Sequence, residues 1–237
     1  MIWRFQGLIG TSALVEQCAV YGYITVTCGL AVLRHNPIPV PTSTYFSEMH
    51  CLRPENDFGE PDVVFALDDD ESTFNLHRKV LAARSPVFKA ELEGPMAESS
   101  LPIIRPQHKI KAPVFTGLII YMYHDRLPKD TECGGPSVEL FRELLAAADW
   151  YAMDRLKLLC AKKLWDDYMS VETVSKTLWY ADTYNCRELK DACMHLLNKG
   201  ENMKQVAVSK EYIWLAQNSP EIIDEELRAR VMAKFYN

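Results

Sequence analysis

Six histidines, at positions 35, 50, 77, 108, 124 and 195, are the side chains best suited to proton transfer near neutral pH. A histidine base needs a carboxylate to orient it, and only His124-Asp125 sets the two side by side. That pair falls at a loop edge, where adjacent charges at a helix end are commonplace. Asp68-Asp69-Asp70-Glu71 gathers four carboxylates, the donors a hard cation takes. The run lacks the glycine and the distal glutamate of an EF-hand loop and reads as a solvated hairpin turn. The cysteines, at 18, 28, 51, 133, 160, 186 and 193, are odd in number, and no two stand in C-x-x-C spacing. Neither a zinc knuckle nor a disulfide framework follows. G-x-S-x-G, H-E-x-x-H, phosphate-loop and G-x-G-x-x-G patterns are all missing. The expectation is a protein that is not an enzyme and takes no metal and no cofactor.

Charge and composition narrow the partners. The chain has 237 residues, 48% of them hydrophobic and 24% charged, with a formal net charge of −6. A mildly acidic chain has no electrostatic footprint for nucleic acid or an anionic membrane. Basic pairs such as Arg78-Lys79 and Lys162-Lys163 read as solvated helix faces. No signal peptide is visible, and the uncharged stretch Ala19 to Leu33 is too short to span a bilayer. Cysteines at apolar helix positions suit a reducing compartment, so nucleus or cytoplasm is expected.

The elements fall into two groups. Tyr23 to Leu33 alternates, with Ile24, Val26, Cys28, Leu30 and Val32 on one face of a strand. Pro37, Pro39 and Pro41 then break the pattern and mark a domain boundary near 36–44. After Gly59, the spacing predicts a hairpin from Asp62–Leu67 and Ser72–Leu76. A helix follows and stops at Ser85-Pro86, an N-cap and first-position proline that start the next one. Gly94-Pro95 ends that helix, Leu101–Ile104 is a third strand, and Pro113 opens a helix through Phe115, Leu118, Ile119 and Met122. Helical stripes fill the rest. Ser170 is the expected N-cap of the stripe Val171, Val174, Leu178 and Ala181, and Ser219-Pro220 starts a last helix with Ile223, Leu227 and Val231 inward. The order gives an α+β domain with an all-α extension.

Leu76 to Glu98, LHRKVLAARSPVFKAELEGPMAE, resembles the first helical hairpin of BTB/POZ domains in the MATH–BTB family, which includes the speckle-type POZ protein. DVVFAL…STFNLH is similar to that domain's opening strands, PVFTGLIIYMYHDRLP to the following strand-to-helix region, and LFRELLAAADWYAMDRLKLLCAKKL to its closing helices. MSVETVSKTLWYADTYNCRELKDACMHLL resembles the paired helices that extend such adaptors. The resemblance covers roughly 60–237. Trp3-Arg4-Phe5 and the strand to Val32 resemble the last third of a MATH β-sandwich. The implied fold is α+β: a BTB/POZ fold of short strands and helical hairpins, an all-α C-terminal extension and an N-terminal β remnant of a MATH sandwich. The implied domains are a partial MATH domain at 1–36, a linker and dimerisation segment at 37–58, the BTB/POZ domain at 59–168 and a BACK- or 3-box-like extension at 169–237.

The resemblance also implies sites. Met96-Ala97-Glu98 matches a hydrophobic-x-Glu motif that inserts toward a cullin N-terminal domain, so Met96 and Glu98 are the expected cullin contacts. Phe46, Met49 and Leu52 match the positions through which these domains dimerise, with themselves or with related BTB proteins. Pro54 interrupts the short helix that relatives place there. Trp3 and Phe5 match aromatic residues of the groove in which a substrate peptide docks, and only the end of that sandwich is matched. The expected function is a substrate-specific adaptor of a cullin–RING ubiquitin ligase, its substrate unnamed by the sequence. Two alternatives stand beside it: a regulatory short form that pairs with full-length relatives or occupies cullin without delivering substrate, and a BTB interaction module outside ubiquitin chemistry.

Overall fold

The computed structural model describes residues 37–45, 59–67, 72–94, 101–106, 108–129, 131–135, 137–197 and 202–227. Met1–His35 and Asn36–Asn237 form separate compact units, and the described residues belong to the second. The alternation expected to form a strand at 23–33, the turn expected at 68–71, Val231 and every expected site residue (Trp3, Phe5, Phe46, Met49, Leu52, Met96 and Glu98) lie outside the described residues.

Two β-rich runs make the hairpin. β1 (Val63–Ala66) pairs antiparallel with β2 (Thr73–Leu76), Phe65 opposite Phe74. Alternation puts Val63 and Phe65 into the core. β3 (Ile103–Ile104) adds in parallel on the other side of β1, giving the order β2-β1-β3. A parallel pair needs a long crossover, which a helical hairpin supplies. That hairpin is α1 (Arg78–Arg84) and α2 (Pro86–Glu93). Ser85 both ends and begins a helix. Its N–H donates to the Leu81 carbonyl, and its Oγ accepts from the Phe88 N–H at 3.2 Å. The same hydroxyl donates to the Tyr151 carbonyl at 2.7 Å, which ties the hairpin to the helices beyond.

α3 (Ala112–His124) opens one residue before Pro113, which sits in its first turn, close to where its spacing predicts, and lies against the sheet. Phe115 meets Phe65 and Phe74 at 5.6 and 5.0 Å, and Phe88 stacks on Tyr151 at 4.2 Å. These rings are the centre of the core. Gly117 lets α3 approach α4 (Val138–Trp150), since a Cβ there would press on the Leu144 methyls at 3.2 Å. α4 is capped by Ser137 and turns back through Ala152, at φ 52°, into α5 (Asp154–Tyr168). The extension repeats this device: α6 (Val174–Thr183) turns at Asn185, φ 51°, into α7 (Arg187–Leu197).

One expectation about a helix start is corrected, while the last helical segment starts at Pro220, as expected. Ser170 is not the N-cap of α6. Thr173 holds that position one turn later; Ser170 caps the intervening turn, its Oγ accepting the Glu172 N–H at 3.3 Å and its carbonyl the Val174 N–H at 3.0 Å, while Thr173 Oγ1 accepts the Ser170 N–H at 3.0 Å and Val171 is half-buried. In the last segment Ile222 is buried, and Ile223 is partly buried against the core, as expected. Ile222–Leu227 winds with the wider π spacing. α8 (Asn202–Val206) and α9 (Lys210–Asn218) are short helices that bury Val206 and Leu215.

Candidate protein-docking site

Met96 and Glu98 fall in the 95–100 segment, whose two ends are described and firmly held. At the upstream end Gly94 closes α2, donating its N–H to the Ala90 carbonyl at 3.0 Å. At the downstream end Arg78 Nη2 donates to the Leu101 carbonyl, and the Val64 N–H donates to the Pro102 carbonyl at 2.9 Å. Leu101 and Ile103 follow, both large apolar side chains exposed to solvent.

The same strand leads directly into a groove. Beyond Ile104, His108 to Lys111 form one side of a cavity of about 270 Å³. Trp150 and Glu143 of α4 form a second wall, and Tyr180 of α6 with Tyr184 just past its end a third. The His108 ring lies 4.5 Å from that of Trp150 and 5.3 Å from that of Tyr151. Burial lowers the His108 pKa from its ordinary value, which favours the neutral ring. Its Nδ1 is buried with no hydrogen-bond partner among the described residues. Lys111 Nζ donates to Glu143 Oε1 at 2.5 Å across the mouth, which raises the lysine pKa. Burial pushes the Tyr180 hydroxyl up to about 12. The groove thus offers aromatic surface with a few fixed polar groups.

His124-Asp125, the one histidine–carboxylate neighbour pair, does not work together. His124 is exposed, while Asp125 ends α3 in the left-handed region at φ 52° and turns to arginines. Its Oδ1 accepts from Arg84 Nη2 at 2.5 Å, and its Oδ2 from Arg155 Nη1 at 2.6 Å and Ser43 Oγ at 2.6 Å. One carboxylate therefore joins α1, α3, α5 and the proline-rich segment. The described part of that segment, 37–45, lies on the helices: Ile38 is fully buried, Arg155 Nε donates to the Pro41 carbonyl at 3.0 Å, and Tyr45 donates its hydroxyl to the Tyr123 carbonyl at 2.7 Å.

Arg142 of α4 is the polar residue that the sequence pattern missed altogether. It is fully buried, with hydrogen bonds to Thr177, Thr173, Glu139 and Glu211. Its only sequence signal is an arginine at a position where α4's apolar face should continue, between Phe141 and Leu145.

The BTB/POZ domain family matches residues 55–168, and the BPM/SPOP BACK domain family matches residues 173–227. Three Arabidopsis thaliana proteins are similar. BTB/POZ and MATH domain-containing protein 4 is 35% identical over 82% of this chain and 42% of its own length. Protein 6 of that series is 32% identical over 77% of this chain and 49% of its own, and protein 3 is 32% identical over 70% and 41%. The chain thus spans less than half the length of these relatives. The BTB domain of zebrafish PATZ1 aligns with 54% of this chain at 23% identity and a TM-score of 0.37.

Proposed function

The chain belongs to the MATH–BTB family, and from that premise we propose that it is a non-catalytic adaptor that brings a substrate protein to a cullin–RING ubiquitin ligase. The observation that carries the reading is the pair of matched domains in one unit, a BTB/POZ domain followed by a BPM/SPOP-type BACK domain. In this proposal the cullin N-terminal domain meets Met96 and Glu98. A methionine fills an irregular apolar pocket well, and a neighbouring carboxylate accepts from a cation or a backbone amide. The firm anchoring of Gly94 and Leu101 supports such a role. Leu101 and Ile103 extend the surface with exposed apolar area, and the strand's continuation into His108–Lys111 makes the aromatic groove its neighbour along the chain. We include that groove in the docking surface. Pairing with a second copy or a related BTB protein through Phe46, Met49 and Leu52 completes the proposal.

The test is calorimetric titration of the chain with a cullin N-terminal domain. Wild type is expected to bind, and Met96→Ala/Glu98→Ala to lose about 2 kcal/mol, roughly thirty-fold, as hot-spot truncations do. Equal affinity of both proteins removes these two residues from the contact, and no binding by wild type overturns the adaptor reading.

A further inference from the structure

The aromatic groove is built by two domains, since its Trp150 wall belongs to α4, within the BTB match, and its Tyr180–Tyr184 wall to α6 and the residue just past its end, within the BACK match. We infer that Arg142 is the positioning residue that sets one wall against the other, an inference that rests on the groove being part of the docking surface proposed above.

Arg142 precedes Glu143, a groove residue, on α4. Its guanidinium reaches α6 at two levels: Nε and Nη2 donate to Thr177 Oγ1 at 3.0 and 2.9 Å, and Nη2 donates to the Thr173 carbonyl at 2.6 Å. Thr177 stands three residues before Tyr180 and seven before Tyr184, one and two helical turns away on one side of the helix. Fixing Thr173 and Thr177 therefore fixes the rotation and height of the two tyrosines. Apolar contact through Val174, Leu178 and Ala181 cannot do this alone, because hydrophobic burial is non-directional and tolerates a small roll or slide. The planar fork of a guanidinium specifies direction.

The remaining contacts keep the fork in place. Nη1 donates to Glu139 Oε1 at 2.7 Å and to Glu211 Oε1 at 3.0 Å. Glu211 also accepts the Lys176 N–H at 3.1 Å, and Lys176 Nζ donates to Glu139 Oε2 at 2.9 Å. Two cations and two carboxylates balance, so the buried arginine is held by α4, α6 and α9 with its charge compensated.

The experiment compares the full chain with Arg142→Met, at a temperature where far-UV circular dichroism shows both folded. Backbone hydrogen exchange is read at 178–184 of α6, with 156–164 of α5 as internal reference, and affinity for the cullin N-terminal domain is measured in parallel. Arg142→Met is expected to exchange at least ten-fold faster in α6 with α5 unchanged, and to bind about ten-fold more weakly. Thr177→Val, which removes only the hydroxyl acceptor, is expected to do the same to a smaller extent, and stands in if Arg142→Met does not fold. Unchanged exchange in α6, or equal acceleration of α5 and α6, overturns the inference, because a purely stabilising arginine gives one of those two results. Fast exchange in α6 with full cullin affinity takes the groove out of the docking surface and the inference with it. A wild type that does not bind cullin defeats the adaptor reading by itself, while the exchange comparison still decides whether Arg142 positions the wall.

Discussion

Arg142 and Glu211 stand 69 positions apart and meet through two hydrogen bonds, Nη1 to Oε1 at 3.0 Å and Nη2 to Oε2 at 3.1 Å. The arginine is wholly buried and the glutamate keeps 23% exposure. Removing the carboxylate leaves a desolvated guanidinium with only Glu139 to compensate it. Glu211→Ala is expected to cost about 2 kcal/mol, below the roughly 3–5 kcal/mol of a fully buried pair because Glu211 is partly solvated. Replacing both partners, Arg142→Met/Glu211→Met, is expected to recover most of that loss in urea unfolding, since no charge is then stranded. A double variant no more stable than Glu211→Ala would show that the arginine's other bonds, not this pair, hold the helices.

Ser85 has two jobs on one hydroxyl, capping α2 through the Phe88 N–H and donating to the Tyr151 carbonyl. Ser85→Ala is expected to cost about 2 kcal/mol, roughly 1 for the cap and roughly 1 for the buried bond. Ser137→Ala, which loses only a cap bond at 3.4 Å to the Leu140 N–H, is expected to cost about half as much. Denaturant midpoints of the two variants measured side by side check the difference; equal losses would mean that the Tyr151 bond contributes nothing.

These residues also show where a sequence is readable. Ser85-Pro86 announces its role because capping is a local affair between neighbours in the chain, and the hairpin, the Pro113 start and the α3 stripe follow from the same short-range rules. Arg142 does not announce itself, because its partners Thr173, Thr177 and Glu211 come together only when α6 and α9 pack on α4. Asp125 is alike: beside His124 it suggests a proton-transfer pair, yet the folded chain gives it to Arg84 and Arg155. Ser170 caps the turn at 171–173, and the regular helix begins only after that turn, at Val174. The groove was unreadable because Trp150 and Tyr180 sit on different helices and are ordinary stripe-edge aromatics until those helices meet.

Burial makes three thiols inert. Cys160 and Cys193 are fully buried and their pKa values are driven well up by desolvation, and Cys186 is pushed up to about 11 for the same reason. Thiolate is the reactive form, so none of the three carries appreciable nucleophile at pH 8. Peptide-resolved mass spectrometry after brief alkylation of the native protein at pH 8 is expected to find all three unmodified, and to find them modified in denaturant. Native labelling of Cys193 would mean that α7 opens on the labelling timescale.

Self-association is expected to depend on Met49 and Leu52. A carboxylate placed in an isologous contact is met twice without a partner, so Met49→Asp/Leu52→Asp is expected to sediment as a monomer where wild type sediments as a dimer. A concentration series to tens of micromolar suffices for an obligate pair. A wild type that stays monomeric throughout contradicts the proposed pairing.

Gly94 is the fixed upstream end of the segment carrying Met96 and Glu98, and its requirement is steric. Its φ of −71° suits any residue, but a methyl there would overlap the carbonyl oxygen of Ala90, the atom its own N–H binds. Gly94→Ala must therefore shift the last turn of α2, an overpacking expected to cost about 1–3 kcal/mol. A shift of that turn moves the exit of the 95–100 segment, while Leu101 stays tied to Arg78. A pinned segment with one displaced end presents its side chains differently, so cullin affinity is expected to fall in Gly94→Ala even at temperatures where the variant is fully folded. Glu93→Ala, which trims an exposed side chain next door, is expected to change neither property. Titration of the three proteins against one cullin N-terminal domain separates the effects. Lowered stability with undiminished affinity would mean that the partner reads Met96 and Glu98 without regard to where α2 delivers them, and that the contact is made by induced fit.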